Sequence, residues 1–175
     1  IKIVNDFELS SIISSLEKLE FIKVKNEPKV VKEKEYKLIL NDTELDAAID
    51  SVLKANLVSF DLETTGVNPM TAEIVGISIS TEYDKGFYIP ILFPNTLDTE
   101  IVPQITYSNI YDRIEPIFNC SKTLYMGQNI KYDMLILRRY GIEVEGNLFD
   151  TMIAAHLLNP DRRSYKMDFL SIDYL

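Results

Sequence analysis

The run VSFDLETTG, residues 58 to 66, puts two carboxylates, Asp61 and Glu63, two positions apart in a stretch that otherwise suits a buried strand. Alternate residues of a strand share a face. Val58, Phe60 and Leu62 therefore turn one way, into a core, and Ser59, Asp61 and Glu63 turn the other. Two carboxylates about 7 Å apart along one face can converge on one hard divalent cation such as Mg²⁺, which takes oxygen ligands and keeps several waters. Without a cation the two anions repel each other and resist burial. A strand end at which both are simply solvated is the competing reading. Thr64-Thr65-Gly66 ends the strand in a tight turn. Both acids are thereby left at its C-terminal end, where α/β sheets carry their sites.

A second stretch, GQNIKYDMLIL, residues 127 to 137, reads as a turn running into a helix. Asn129 reads as the N-cap and Asp133 falls in the first turn, where a carboxylate suits the helix dipole. Met134, Leu135, Ile136 and Leu137 make this helix largely buried. A carboxylate at the head of a buried helix is costly unless something pairs with it.

FDLETTG and GQNIKYD resemble the first and second exonuclease motifs of the 3′–5′ proofreading domain of bacterial DNA polymerase I, a family A polymerase. LFDTMIAAHLLNPDRRSYKMDFLSIDYL, residues 148 to 175, looks like the segment that follows them in the same domain. The resemblance spans residues 36 to 175, with the motifs in the family's order and at compatible spacing. It implies an α/β fold, the ribonuclease-H-like mixed β-sheet flanked by helices, here C-terminally incomplete. It also implies two-metal hydrolysis of 3′-terminal nucleotides from DNA. In that chemistry one ion generates hydroxide and the other stabilises the leaving 3′ oxygen, about 3.5–4 Å away. Carried over residue by residue, the resemblance makes Asp61, Glu63 and Asp133 the catalytic metal ligands, with Asp133 reaching the second ion through water. Val67 matches the apolar residue that packs on the terminal base. Thr64, Gln128 and Asn129 match positions that line the 3′-terminal nucleotide. The implied cofactors are two divalent ions, Mg²⁺ or Mn²⁺, with Zn²⁺ also admissible. The implied partners are a single-stranded DNA 3′ end and a polymerase domain of the same chain, in the cytoplasm and away from any membrane.

The pattern is not complete. The family's fourth carboxylate belongs to a Tyr-x-x-x-Asp motif on a later helix, and no Tyr of this sequence has an Asp four residues on. Tyr165 is followed at that distance by Phe169. The match ends at Leu175, upstream of the motif, so the domain reads as truncated and the 175-residue chain as weak or inactive by itself. His156 and Asp161 have the His-x-x-x-x-Asp spacing of a related exonuclease branch, but Asn159-Pro160 interrupts the helix that would present them on adjacent turns. His156 then reads as a helix-face residue, Asp150 as an N-cap, and Asp168 and Asp173 as cap and surface charges. Where the family has a phosphate-contacting Arg this chain has Ser164, and Arg162 and Arg163 beside it read as a solvated loop pair. Two other functions stay open. A related 3′–5′ exoribonuclease would show a 2′-hydroxyl preference. A degenerate exonuclease-like module would only brace a polymerase, and retention of all three carboxylates argues against it.

The elements that must position these groups follow from the apolar pattern. Residues 6 to 20 read as an amphipathic helix through Leu9, Ile12, Ile13, Leu16 and Leu19, and residues 22 to 35, rich in Lys and Glu, as a linker or edge segment. The domain boundary is set near residue 35, with residues 1 to 35 as a helix and linker from a preceding region. Asn41 with Glu44 forms a capping-box pattern ahead of Leu45, Ala48, Ile49 and Val52. Strands are expected over residues 57 to 63, 74 to 80 and 87 to 91, a loop over 94 to 107, and a helix from Asn109 that Pro116 kinks or ends. A short strand and turn over 123 to 129 precedes helices at 131 to 140, at 150 to 158 and from Met167.

Composition sets the outer bounds. Of 175 residues 46% are hydrophobic and 26% charged, enough for one substantial core. No apolar run approaches the ~18 residues of a membrane helix, and Cys120 is the single cysteine, read as a small buried hydrophobe. The first residue is Ile1, which reads as an internal piece of a longer protein or a trimmed chain. A net charge of −9 argues against a stand-alone binder of nucleic acid, which usually shows a basic face. It still allows a nuclease in which bound cations invert the field of a carboxylate cluster.

Overall fold

The computed structural model describes residues 34–92 and 103–174. The helix expected over residues 6 to 20, and most of the linker and of the 94 to 107 loop, lie outside the described residues.

The first helix, α1 (Asp42–Leu53), begins as its sequence dictates. Asn41 Oδ1 accepts from the Glu44 N–H at 2.9 Å, and Glu44 Oε2 accepts from the Leu40 N–H at 2.9 Å. The reciprocal bond thus lands one residue earlier than the usual capping box. Alternation in β2 (Leu57–Thr64) buries Val58, Phe60 and Leu62 as expected. β3 (Ile74–Glu82) and β4 (Lys85–Pro90) form a hairpin around Tyr83 and Asp84, and Asp84 takes the left-handed conformation, φ 61°, that short hairpin loops require. A short 3₁₀ turn, Tyr107–Asn109, leads into α2 (Ile110–Phe118), which runs through Pro116 and ends two residues after it. Then come β5 (Leu124–Gly127), α3 (Ile130–Arg139), β6 (Asn147–Asp150), α4 (Thr151–Leu158) and α5 (Met167–Tyr174).

Two strands, β1 (Glu35–Leu38) and β6, were not expected from the sequence. They form the two edges of a six-stranded sheet of order β1-β4-β3-β2-β5-β6. Every neighbouring pair is parallel except those made by β3, which opposes both β2 and β4. This is the mixed α/β sheet that the sequence implied. One face, through Val58, Phe60, Ile77, Ile79, Ile89 and Tyr125, packs with α1, α2 and α3 into a single apolar cluster. The Phe60 ring meets Phe118 edge-on at 5.1 Å, and the buried Tyr125 hydroxyl donates to Ile117 O at 2.7 Å. The other face carries Ser59, Asp61 and Met126 and opens into a cavity of about 430 Å³, which Gln128, Phe149 and residues of α4 and α5 complete.

Candidate active site

The site begins with the point at which β5 leaves β2. Their parallel ladder runs only from Leu57 to Ser59 on β2. Beyond Gly127 the chain turns through Asn129, in the left-handed conformation at φ 56°, and enters α3. The ladder with β5 has already ended when β2 reaches Leu62. Asp133, in the first turn of α3, takes the Leu62 N–H, its Oδ1 accepting at 3.2 Å. This one bond fixes Asp133 beside the residue that separates Asp61 from Glu63.

Asp133 is 2% exposed, the only buried charged residue among the described ones. Burial, and next the negative charge of Asp61, push its carboxyl up to about 7 although the Leu62 N–H opposes the shift. Asp61 is raised as well, by burial first and then by Glu63. Among the described residues no Lys or Arg forms a salt bridge with any of the three. Asp61, set between Asp133 and Glu63 and raised by the second as it raises the first, completes with them an oxygen donor set that suits a hard divalent ion. The arrangement is open, however. Among the described residues no three His, Cys, Asp or Glu side chains gather closely enough to hold a metal.

The expected N-cap needs correction. Asn129 stands at the N-cap position of α3, but its side chain makes no capping bond, because a left-handed backbone does not aim it at the first turn. Asp150 caps instead. It accepts from Asn129 N–H at 3.1 Å and Ile130 N–H at 3.0 Å. As expected, it also caps its own helix α4, accepting from Met152 at 2.8 Å and Ile153 at 3.2 Å. One carboxylate therefore fastens two helix starts.

The other expected residues are spread around this centre. Thr64 Oγ1 donates to Gly66 O at 3.0 Å and lies 3.0 Å from the Tyr132 hydroxyl, which itself donates to Gly66 O. Val67, on the loop after this turn, is 94% exposed. Arg139 donates to Pro69 O at 2.8 Å and Ala72 O at 2.7 Å and ties the same loop to α3. Gln128 spends its amide internally, donating to Tyr165 O at 2.7 Å and accepting from Thr151 Oγ1 at 2.5 Å. Tyr132, Arg139 and the double role of Asp150 were missed in the sequence, since each acts on backbone distant in the chain.

Two further readings change. Arg162 is not solvated. It pairs with Asp173, which lies at the surface as expected, and donates to Ser164 O at 2.6 Å and Phe169 O at 3.0 Å. Cys120 is half-buried rather than buried. His156 is exposed on α4, its ring 5.1 Å from that of Tyr165, and the helix stops at Leu158 ahead of Asp161.

Residues 36–175 match the 3′-5′ exonuclease family model, and the chain belongs to that family of exonuclease domains. Its relatives are DNA polymerase I proteins. That of Borreliella burgdorferi is 35% identical over 140 residues, covering 80% of this chain and 14% of the relative, and that of Pseudomonas aeruginosa is 28% identical over 150 residues, covering 82% and 16%. The chain thus spans about one-seventh of the relatives' length. Among solved structures, Escherichia coli RNase D superposes with a TM-score of 0.61 at 16% identity, covering 80% of this chain and 33% of that one. Brucella melitensis NrnC gives 0.58 at 14% identity, covering 82% and 61%. At these identities the likeness establishes the ribonuclease-H-like exonuclease fold.

Proposed function

We propose that Asp61, Glu63 and Asp133 hold divalent cations, Mg²⁺, Mn²⁺ or Zn²⁺, and that the domain removes nucleotides from a single-stranded DNA 3′ end. A polymerase domain of the same chain and a cytoplasmic setting complete this reading. The observation that carries it is the burial of Asp133 beside Asp61, with no Lys or Arg among the described residues in a salt bridge with either. An anion in that position is costly, and a bound cation relieves the cost. When bound, such ions supply a hydroxide nucleophile at neutral pH and stabilise the leaving oxygen.

The chain's own groups do the placing. With Oδ1 occupied by the Leu62 N–H, Asp133 has Oδ2 left to face an ion or its water. Val67 offers an exposed apolar surface to the terminal base. Thr64 and Asn129 flank the nucleotide, and Gln128, its amide already spent, shapes the pocket between β5 and Tyr165. The open arrangement of the three acids, together with the lack of a Tyr-x-x-x-Asp in the sequence, supports weak activity for the 175 residues alone.

That same openness favours a second reading, a non-catalytic exonuclease-like module bracing a polymerase. Release of label from 3′-labelled single-stranded DNA in Mg²⁺ or Mn²⁺ separates the two. Slow metal-dependent trimming, lost in Asp61→Ala, supports the nuclease. Absence of both trimming and Asp61-dependent Mn²⁺ binding supports the brace. An RNA strand run in parallel tests for exoribonuclease preference.

A further inference from the structure

Gly76 sits on β3 directly opposite Glu63 on β2. A Cβ added to Gly76 would overlap the hydroxyl and ring of Tyr88, a residue of the neighbouring strand β4. Tyr88 is in register with Ser78, which in turn faces Asp61. The ring therefore leans along the sheet and fills the notch where Gly76 has no side chain, which brings the phenol over β3 toward β2. Directly opposed residues have Cβ atoms about 4.5–5.5 Å apart. The phenol oxygen, standing where the Gly76 Cβ would be, is thus within one side chain's reach of the Glu63 carboxylate.

We propose that Tyr88 is a positioning residue for Glu63: across the Gly76 notch its O–H donates to the Glu63 carboxylate and fixes which oxygen faces the cation. The assignment rests on the metal reading of Asp61 and Glu63. A neutral phenol is a donor at physiological pH, and a hydrogen bond to a carboxylate is among the stronger ones. The half-buried ring restricts the phenol to this position. Glu63 itself is exposed at the strand end, next to the irregularity between Glu63 and Thr64, and needs such a restraint more than Asp61 does.

The test is Mn²⁺ binding by the 175-residue chain, followed by loss of the free-ion EPR signal, beside thermal melting in EDTA. Tyr88→Phe keeps the ring and removes only the hydroxyl. Its Mn²⁺ affinity is expected to fall about three- to tenfold, the effect of one net hydrogen bond, with melting unchanged. Gly76→Ala, which displaces the phenol, falls at least as far. Tyr83→Phe, at a hairpin position that is 97% exposed, binds as the parent does. Unchanged affinity in Tyr88→Phe overturns the assignment, and so does a loss that merely tracks a lower melting temperature in both variants. If the parent shows no Mn²⁺ binding that Asp61→Ala abolishes, the metal reading fails first, and the two failures are told apart.

Discussion

Asp133 carries a carboxylate into a place where it retains its proton up to about 7, whereas the unfolded chain releases it near 3.8. Between those values the native state binds more protons than the unfolded state, so stability falls as pH rises through that window and levels off above it. In EDTA the melting temperature should decline from about pH 4 to about pH 7, and Asp133→Asn should flatten the decline. At about pH 8 the metal-free Asn variant should be more stable than the parent by ~1–3 kcal/mol in urea unfolding. Mg²⁺ should raise the melting temperature of the parent and not of the variant. A parent whose metal-free stability rises across this window would contradict the buried-acid account.

α3 organises the site because three of its side chains reach different parts of the β2 region. Asp133 holds Leu62, Tyr132 holds the turn at Gly66, and Arg139 holds the loop at Pro69 and Ala72. Arg139→Ala should speed amide exchange of Thr71 and Ala72, whose N–H groups both bond to Asn68 O, while α1 stays protected. Asp150→Ala should cost about 2 kcal/mol or more, since each lost cap is worth ~1 kcal/mol, and should weaken metal binding through a loosened α3. Most of this element scale was legible in the sequence. Apolar alternation disclosed β2, β3 and β4, and Asn41 with Glu44 disclosed the start of α1. β1 and β6 were hidden because edge strands need no buried face, and EYKL and NLFD are mostly exposed. Asp61, Glu63 and Asp133 stood out as charges in apolar runs. The capping of α3 by a residue of another strand left no local signal, since it depends on β6 lying beside β5.

On the proposed function, a chain of net charge −9 must approach another polyanion. At this net charge, attraction to DNA gains from cations bound at the carboxylates. Fluorescence anisotropy of a labelled single-stranded oligonucleotide should therefore show binding in Mn²⁺ that EDTA abolishes, and Asp61→Ala should weaken it. The sheet's two flanks also differ in how they treat other molecules. β1 intersperses its exposed Tyr36 and Leu38 with the charges Glu35 and Lys37, which discourage an incoming strand, whereas β6 sets Leu148 and Phe149 side by side, each more than 40% exposed. Colloidal behaviour should follow from this asymmetry. At high concentration the chain should stick through the β6 flank, and Leu148→Lys should lower its light scattering while a further charge on β1 changes little.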